Sequence, residues 1–362
     1  MARTRDAARG HRGVVPALSL LFALAACSGT EPAPSPYAPL PEPLTNNAVA
    51  ALDDEDGARL YSFLGLGPGK THKDMPRAAY EYDIGRDRWR ALPPPPLPQG
   101  RLAAASVALR DRIWLIGGYS VAADGHEVST PELLSFDPRS ELWQRHADMP
   151  VPVDDSVALP YADRYIYLVS GWHDDGNVAA VQVYDSENDI WFAASDFPGI
   201  PVFGHAGGIV EGRILVIDGV AVLGSEDGRR RFGLVSQAWV GAIDPDAPSV
   251  IDWQRVPHHG GPPLYRAAAT GSTATGLVLF AGGATRAYNY DGIGYDGLPA
   301  EPSARVFGYD PANDVWMRFP DKAIASMDHR GLLEAAGAFW TVGGMGMGRT
   351  VLPWLDRFEI RE

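Results

Sequence analysis

Cysteine is almost missing from this sequence: Cys27 stands alone. A disulfide-stapled fold, a thiol nucleophile within the body of the chain and a cysteine zinc site are thereby excluded. Net positive charge is missing too. The formal charge is −14, and so acidic a chain argues against nucleic acid as a partner. There is no phosphate-binding glycine loop and no Ser-His-Asp arrangement. Glycine and proline, 40 and 31 residues, are plentiful but follow no three-residue period, which excludes a collagen-like rod. With 46% hydrophobic residues in many short runs between these turn formers, the chain is expected to be all-β with a substantial core.

The first 26 residues carry the marks of a targeting signal. Arg3, Arg5, Arg9 and Arg12 precede the apolar run 14–26, which is too short to span a bilayer as a mature helix. The run ends Leu24-Ala25-Ala26-Cys27, which resembles the bacterial lipoprotein lipobox. That resemblance implies lipidation at Cys27 and anchoring by acyl chains rather than by a spanning helix. Ser28 after the cysteine resembles the outer-membrane sorting pattern, so the expected location is the cell envelope, at the outer membrane facing the periplasm. Residues 27–36 form a Pro/Ser-rich tether and 37–362 the folded body.

An internal repeat of about 50–60 residues dominates that body. An apolar strand ends in small residues at Ile113 to Gly118, Tyr167 to Gly171, Ile214 to Gly219, Leu277 to Gly283 and Phe339 to Gly344, with a degenerate copy at Tyr61 to Gly67. A loop follows, then an aromatic residue, Asp and Trp: Tyr82-Asp83 with Trp89, Phe136-Asp137 with Trp143, Tyr184-Asp185 with Trp191, and Tyr309-Asp310 with Trp316. Ile243-Asp244 with Trp253 is a stretched copy.

These residues resemble the Kelch family along the whole body, which implies a six-bladed β-propeller. Each blade would be a four-stranded antiparallel sheet, strands a to d from axis to rim. The glycines would end strand b where blades crowd, and the tryptophan would fill the gap between blades. The last unit lacks a strand d, with a, b and c at 330–336, 339–344 and 355–360. The segment Tyr37 to Leu44 looks like a strand d without a blade, and is predicted to complete the last sheet and close the ring.

In such a ring the b–c and d–a loops share one face, where a binding funnel is expected. The residues read as starting each strand a are Asn47, Arg101, Asp155, His205, Arg266 and Arg330. Arg101, Arg266 and Arg330 would either bind a carboxylate or pair with Asp155 and Asp328 as structural ions. Tyr288, Tyr290 and Tyr295, among amides, carboxylates and glycines, suit sugar binding; the other reading is a loop packed on its own tyrosines. No cofactor is expected. His205, His258, His259 and His329 lack the tight spacing of a metal site, so no metal is expected.

Two blades resemble bacterial N-acetylneuraminate epimerases (sialic acid mutarotases) more narrowly: Phe203 to Val210 with Leu215 to Gly219, and the loop Tyr288 to Leu298. The resemblance implies a catalytic glutamate directly after Asp218-Gly219, but Val220 stands there. Glu226 is the candidate replacement, and Arg229, Arg230 or Arg231 would match the family's loop arginine. Copper chemistry of the galactose oxidase type, which needs a tyrosine–cysteine cross-link, is excluded by the cysteine count. Three functions stay open: a carbohydrate-binding propeller, with an acidic sugar as one ligand; a mutarotase; and an envelope scaffold binding a protein through Trp172, Phe203 and Trp354. Oligomeric state is left open.

Overall fold

The structure is a computed structural model that describes residues 35–360. The expected signal segment 1–26, Cys27 and all but the last two residues of the tether lie outside them. Six antiparallel sheets follow one another along the chain. The first comprises Ala48–Asp54, Gly57–Phe63, Ala79–Asp83 and Arg88–Ala91, and the second Ala105–Leu109, Arg112–Ile116, Leu133–Asp137 and Leu142–Arg145. Val157–Tyr161, Tyr165–Val169, Val181–Asp185 and Ile190–Ala194 form the third; Ala206–Val210, Arg213–Ile217, Ala238–Asp244 and Ala247–Arg255 form the fourth. The fifth comprises Ala268–Ser272, Leu277–Ala281, Val306–Asp310 and Val315–Phe319, and the last Leu333–Ala335, Ala338–Val342 and Leu355–Phe358. Strands pair in sequence order, a to d. The six a strands touch in cyclic order, the sixth against the first, so the molecule is a six-bladed β-propeller.

Strand b lies between two neighbours in its own sheet and between two neighbouring blades. Both of its faces are covered, so it reads as an unbroken apolar run rather than an alternating one. Leu277–Ala281 and Ala338–Val342 are buried at every position. The glycines that follow are required by crowding. Gly117 has φ +57°, and a Cβ there would meet the Val153 carbonyl at 2.5 Å. The strand d tryptophans seal the seams. Each indole N–H donates to a carbonyl at the end of the preceding blade's strand d: Trp143 to Pro93 (2.8 Å), Trp191 to Ala147 (2.8 Å), Trp253 to Ser195 (3.3 Å) and Trp316 to Pro257 (2.7 Å).

The same seam identifies the N-terminal segment. Trp89 donates to the carbonyl of Ala38 at 2.9 Å, so Ala38 takes the place that Pro93 or Ala147 holds elsewhere. Leu40 and Leu44 are buried against Trp340 and Leu355 of the last blade, and their N–H groups donate to Pro353 and Leu352. The ring therefore closes where predicted, with one difference of form. Residues 37–44 have no strand assignment; three of the eight are prolines, which cannot donate to a ladder.

Candidate functional site

The chain enters each strand a through a residue in the left-handed region: Asn46, Ala103, Asp155, Gly204, Arg266 and Asp328, at φ 50–65°. Five of the six are not glycine, and a ring of hydrogen bonds holds them there. Asp155 N–H donates to Ala103 (3.1 Å), Gly204 to Asp155 (2.7 Å) and Arg266 to Gly204 (2.7 Å). His329 N–H donates to Arg266 (3.1 Å) and Asn46 N–H to Asp328 (3.0 Å). The Asn46 side-chain carbonyl accepts from Ala103 N–H, which completes the circuit through all six blades.

Charged side chains of this ring cross the axis. Arg266 grips Asp155 through Nε at 3.0 Å and Nη2 at 2.5 Å, and reaches Asp328 through Nη1 at 2.9 Å. Arg330 donates to Asp155 from the other side. Thr45 Oγ1 and Asn46 Nδ2 satisfy Asp328 at 2.7 and 2.8 Å. Arg266 is 3%, Asp155 2% and Asp328 0% exposed. Burial alone would raise the Asp155 carboxyl, but the two guanidinium groups outweigh it and hold the carboxyl below its usual range. These four side chains form a floor with a cavity on either side.

Above the floor, on the b–c and d–a loop face, lies a pocket of about 350 Å³. Three two-stranded hairpins from b–c loops shape it: Tyr119–Val121 with Glu127–Ser129, Trp172–His173 with Gly176–Asn177, and Val220–Glu226 with Arg229–Leu234. The aromatic wall is built from Trp172, Phe203 and Phe232 (ring centroids 5.3–6.0 Å apart) and Tyr295, stacked on Phe232 at 4.2 Å. The same pocket is lined by the carboxyl groups of Glu127, Asp154, Asp155, Asp174 and Asp175. Arg230 lies over the Trp172 ring at 5.4 Å and pairs with Asp175 at 2.8 Å. Asp154 is 4% exposed and accepts from Ser129 Oγ at 2.6 Å. Burial and the adjacent Asp155 charge push its carboxyl well above the usual range.

Of the residues expected to bind ligand, Arg266, Asp155, Tyr290 and Tyr295 line this pocket. Arg330 and His205 line the axial cavity of about 370 Å³ beneath the floor. His205 is 4% exposed, and neither ring nitrogen completes a hydrogen bond. Burial pushes it down to about 4, with the Val169 backbone and the Asp155 carboxylate only partly opposing. Arg101 does not join the other arginines. Ala103, not Arg101, is the left-handed residue through which the chain enters strand a of its blade, and Arg101 pairs instead with Glu132 (2.7 Å) and the Gly117 carbonyl. Tyr288 is fully buried against Tyr265, Met327 and Met345, so it is a packing residue. Glu226 is exposed at a hairpin tip and does not line the pocket, and Val220 is fully buried. Of the three consecutive arginines, Arg230 is the one that reaches the pocket. Glu127 and Phe232 escaped the sequence reading; the length of their b–c loops was the available signal.

One group of three side chains among the described residues has metal-ligand character: Asp218, His258 and His259, with ligand atoms within 4.8 Å of one another. Both Nε2 atoms meet the carboxylate, at 2.6 and 2.9 Å, and Leu264 N–H donates to it at 2.9 Å. Gly261 N–H donates to His259 Nδ1. That tautomer places the His259 proton on Nε2, the atom a metal would need. The group acts as a clasp tying a d–a loop to the end of strand b. His205 and His329 lie apart from it, in the axial cavity.

No family model matches the chain. Kelch-like protein 15 of Mus musculus is 29% identical over 108 residues, 30% of this chain and 18% of that protein. Kelch-like protein terF of Aspergillus terreus is 23% identical over 327 residues, 89% of this chain and 54% of that protein. The chain thus spans about half the length of the latter and under a fifth of the former. The solved structure of YjhT matches with a TM-score of 0.70 at 15% identity, over 90% of this chain and 97% of that one. With the repeat and the ring, these likenesses make the fold a Kelch-type β-propeller.

Proposed function

We propose that this propeller binds a carbohydrate in its loop-face pocket, and that the ligand is a neutral or amine-bearing sugar rather than an acidic one. The composition of the pocket carries the reading: flat aromatic rings share it with carboxyl groups, while Arg266 and Arg330 are already taken by Asp155 and Asp328. Rings offer sugar faces apolar contact, and carboxylates accept from hydroxyls. An acidic sugar would lack a free guanidinium at the floor and would meet a surplus of like charge. The volume of about 350 Å³ falls at the small end of ligand sites.

Anomer exchange has less support, because Val220 cannot move a proton and Glu226 sits away from the pocket. The scaffold reading has less support too, since Phe203 is 5% exposed and packs within the pocket wall. Calorimetry against glucose, galactose and N-acetylneuraminate tests the proposal. Binding of a neutral sugar, weakened at least ten-fold in Trp172→Ala, is expected. Binding of N-acetylneuraminate alone would overturn it.

The propeller is further proposed to be held at the cell envelope by lipid on Cys27, on the strength of the motif Leu24-Ala25-Ala26-Cys27. Cys27→Ser should move the protein from the membrane fraction to the soluble one; unchanged fractionation refutes the anchor.

A further inference from the structure

The geometry points to a ligand whose sugar carries a free, protonated amine, seated between the aromatic wall and the carboxyl group of Asp154. This inference rests on the carbohydrate reading above and narrows it to a substrate class. Three observations carry it.

The first is charge. Five carboxyl groups line the pocket against two arginines, and each arginine is committed: Arg230 to Asp175, Arg266 to Asp155 and Asp328. Among the described residues, Glu127, Asp154 and Asp174 make no ion pair. Asp174 accepts only the Ser129 backbone N–H (3.0 Å) and Asp154 only the Ser129 hydroxyl (2.6 Å). The second is Asp154 itself. It is 4% exposed, it lines the cavity, and only its Oδ2 is engaged among the described residues. Its Oδ1 is left able to accept from a donor that enters the pocket. The third is that the wall already receives a cation. The Arg230 guanidinium lies 5.4 Å from the Trp172 ring centroid with Asp175 beneath it. Ring face plus carboxylate is the recognition pattern of an organic cation, and Arg230 occupies it from within, on an exposed hairpin strand.

The last point gives the inference a sign that an anion site would not share. Removing Arg230 vacates Trp172 and Asp175, and so should tighten an amine. If the pocket took an acid, the same change would weaken binding.

Calorimetry on the full-length protein with glucosamine, glucose, N-acetylglucosamine and cyclohexylamine tests this at pH 6.5. Glucosamine should bind at least ten-fold tighter than glucose or N-acetylglucosamine. Arg230→Ala should tighten glucosamine several-fold, and the near-isosteric Asp154→Asn should erase glucosamine's advantage over glucose. Asp174→Asn serves as the second variant if Asp154→Asn fails to fold, and should reduce the same advantage. Equal binding of the three sugars overturns the amine inference and leaves the carbohydrate reading standing. Cyclohexylamine binding as tightly as glucosamine would show that the sugar ring is not read, and overturns both the inference and the carbohydrate reading. Weaker glucosamine binding by Arg230→Ala, or no binding by any probe, overturns the inference outright.

Discussion

Replacing Arg266 by methionine should cost the protein about 3–5 kcal/mol of stability, the penalty for breaking a buried ion pair by removing one partner. Arg266 makes three charge-assisted bonds at 3% exposure, and methionine keeps much of its apolar stem. Asp155 would be left with Arg330 alone, and Asp328 with two neutral donors, Thr45 and Asn46. Both carboxylates are too buried for water to replace the guanidinium. Arg145→Met is the control: its partner Asp148 is 2.8 Å away, but the side chains are 57% and 43% exposed. That pair should be worth about 1 kcal/mol or less. Urea unfolding at pH 7.5, followed by circular dichroism at low salt and at 0.5 M salt, measures both. The Arg266 loss should survive the salt, since buried charges are poorly screened. Adding Asp155→Asn to Arg266→Met should recover part of the loss, because the uncompensated charge is what destabilises. A loss no larger than that of Arg145→Met, or one that salt abolishes, refutes the account of the floor.

Three further outcomes are expected. Between the ordinary histidine value and about 4, unfolded chains bind a proton at His205 that the folded protein refuses. Stability is therefore full above about pH 6.5 and falls as pH drops toward 4, by up to about 3 kcal/mol from this residue; His205→Gln should flatten the curve in that window, and an unchanged slope would exclude the effect. Gly117→Ala should cost about 2–4 kcal/mol, a left-handed backbone term plus a clash with the Val153 carbonyl. Gly276→Ala, also at positive φ but with open space around it, should cost only about 1–2 kcal/mol; equal losses in thermal melts would contradict the crowding argument. Leu44→Ala should cost about 2–5 kcal/mol by opening a cavity at the closing seam, and a neutral result would show that the segment 37–44 is dispensable for closure.

The blades were legible because the features that define them are local and repeated. Gly117-Gly118, Asp137 and Trp143 recur at a fixed order, and each answers to one packing demand of a ring. Closure was legible for the same reason, since Ala38 to Leu44 supplies the contacts that a missing strand d would make. The site was only partly legible because no repeat governs it. Arg101, two residues short of its blade's position at the axis, looks in sequence much like Arg266; only the φ of Ala103 and the reach of Glu132 tell them apart. Tyr288 and Tyr290 are two residues apart and alike in type, yet one is fully buried and the other lines the pocket. Arg230 and Phe232 depended on a hairpin whose register, with a bulge between Val222 and Gly224, places alternate residues over the pocket. Such distinctions arise from loop geometry, on which apolar periodicity is silent.

A propeller is often pictured as a tube, but the salt-bridged partition across this one makes it a cup. Whatever enters from the loop side must leave by the same mouth. A long polymer cannot be threaded along the axis; it can present only a terminus or a side branch. The partition thus sets a rule of access through Asp155 and Arg266, whose mutual pairing is also the floor of the pocket.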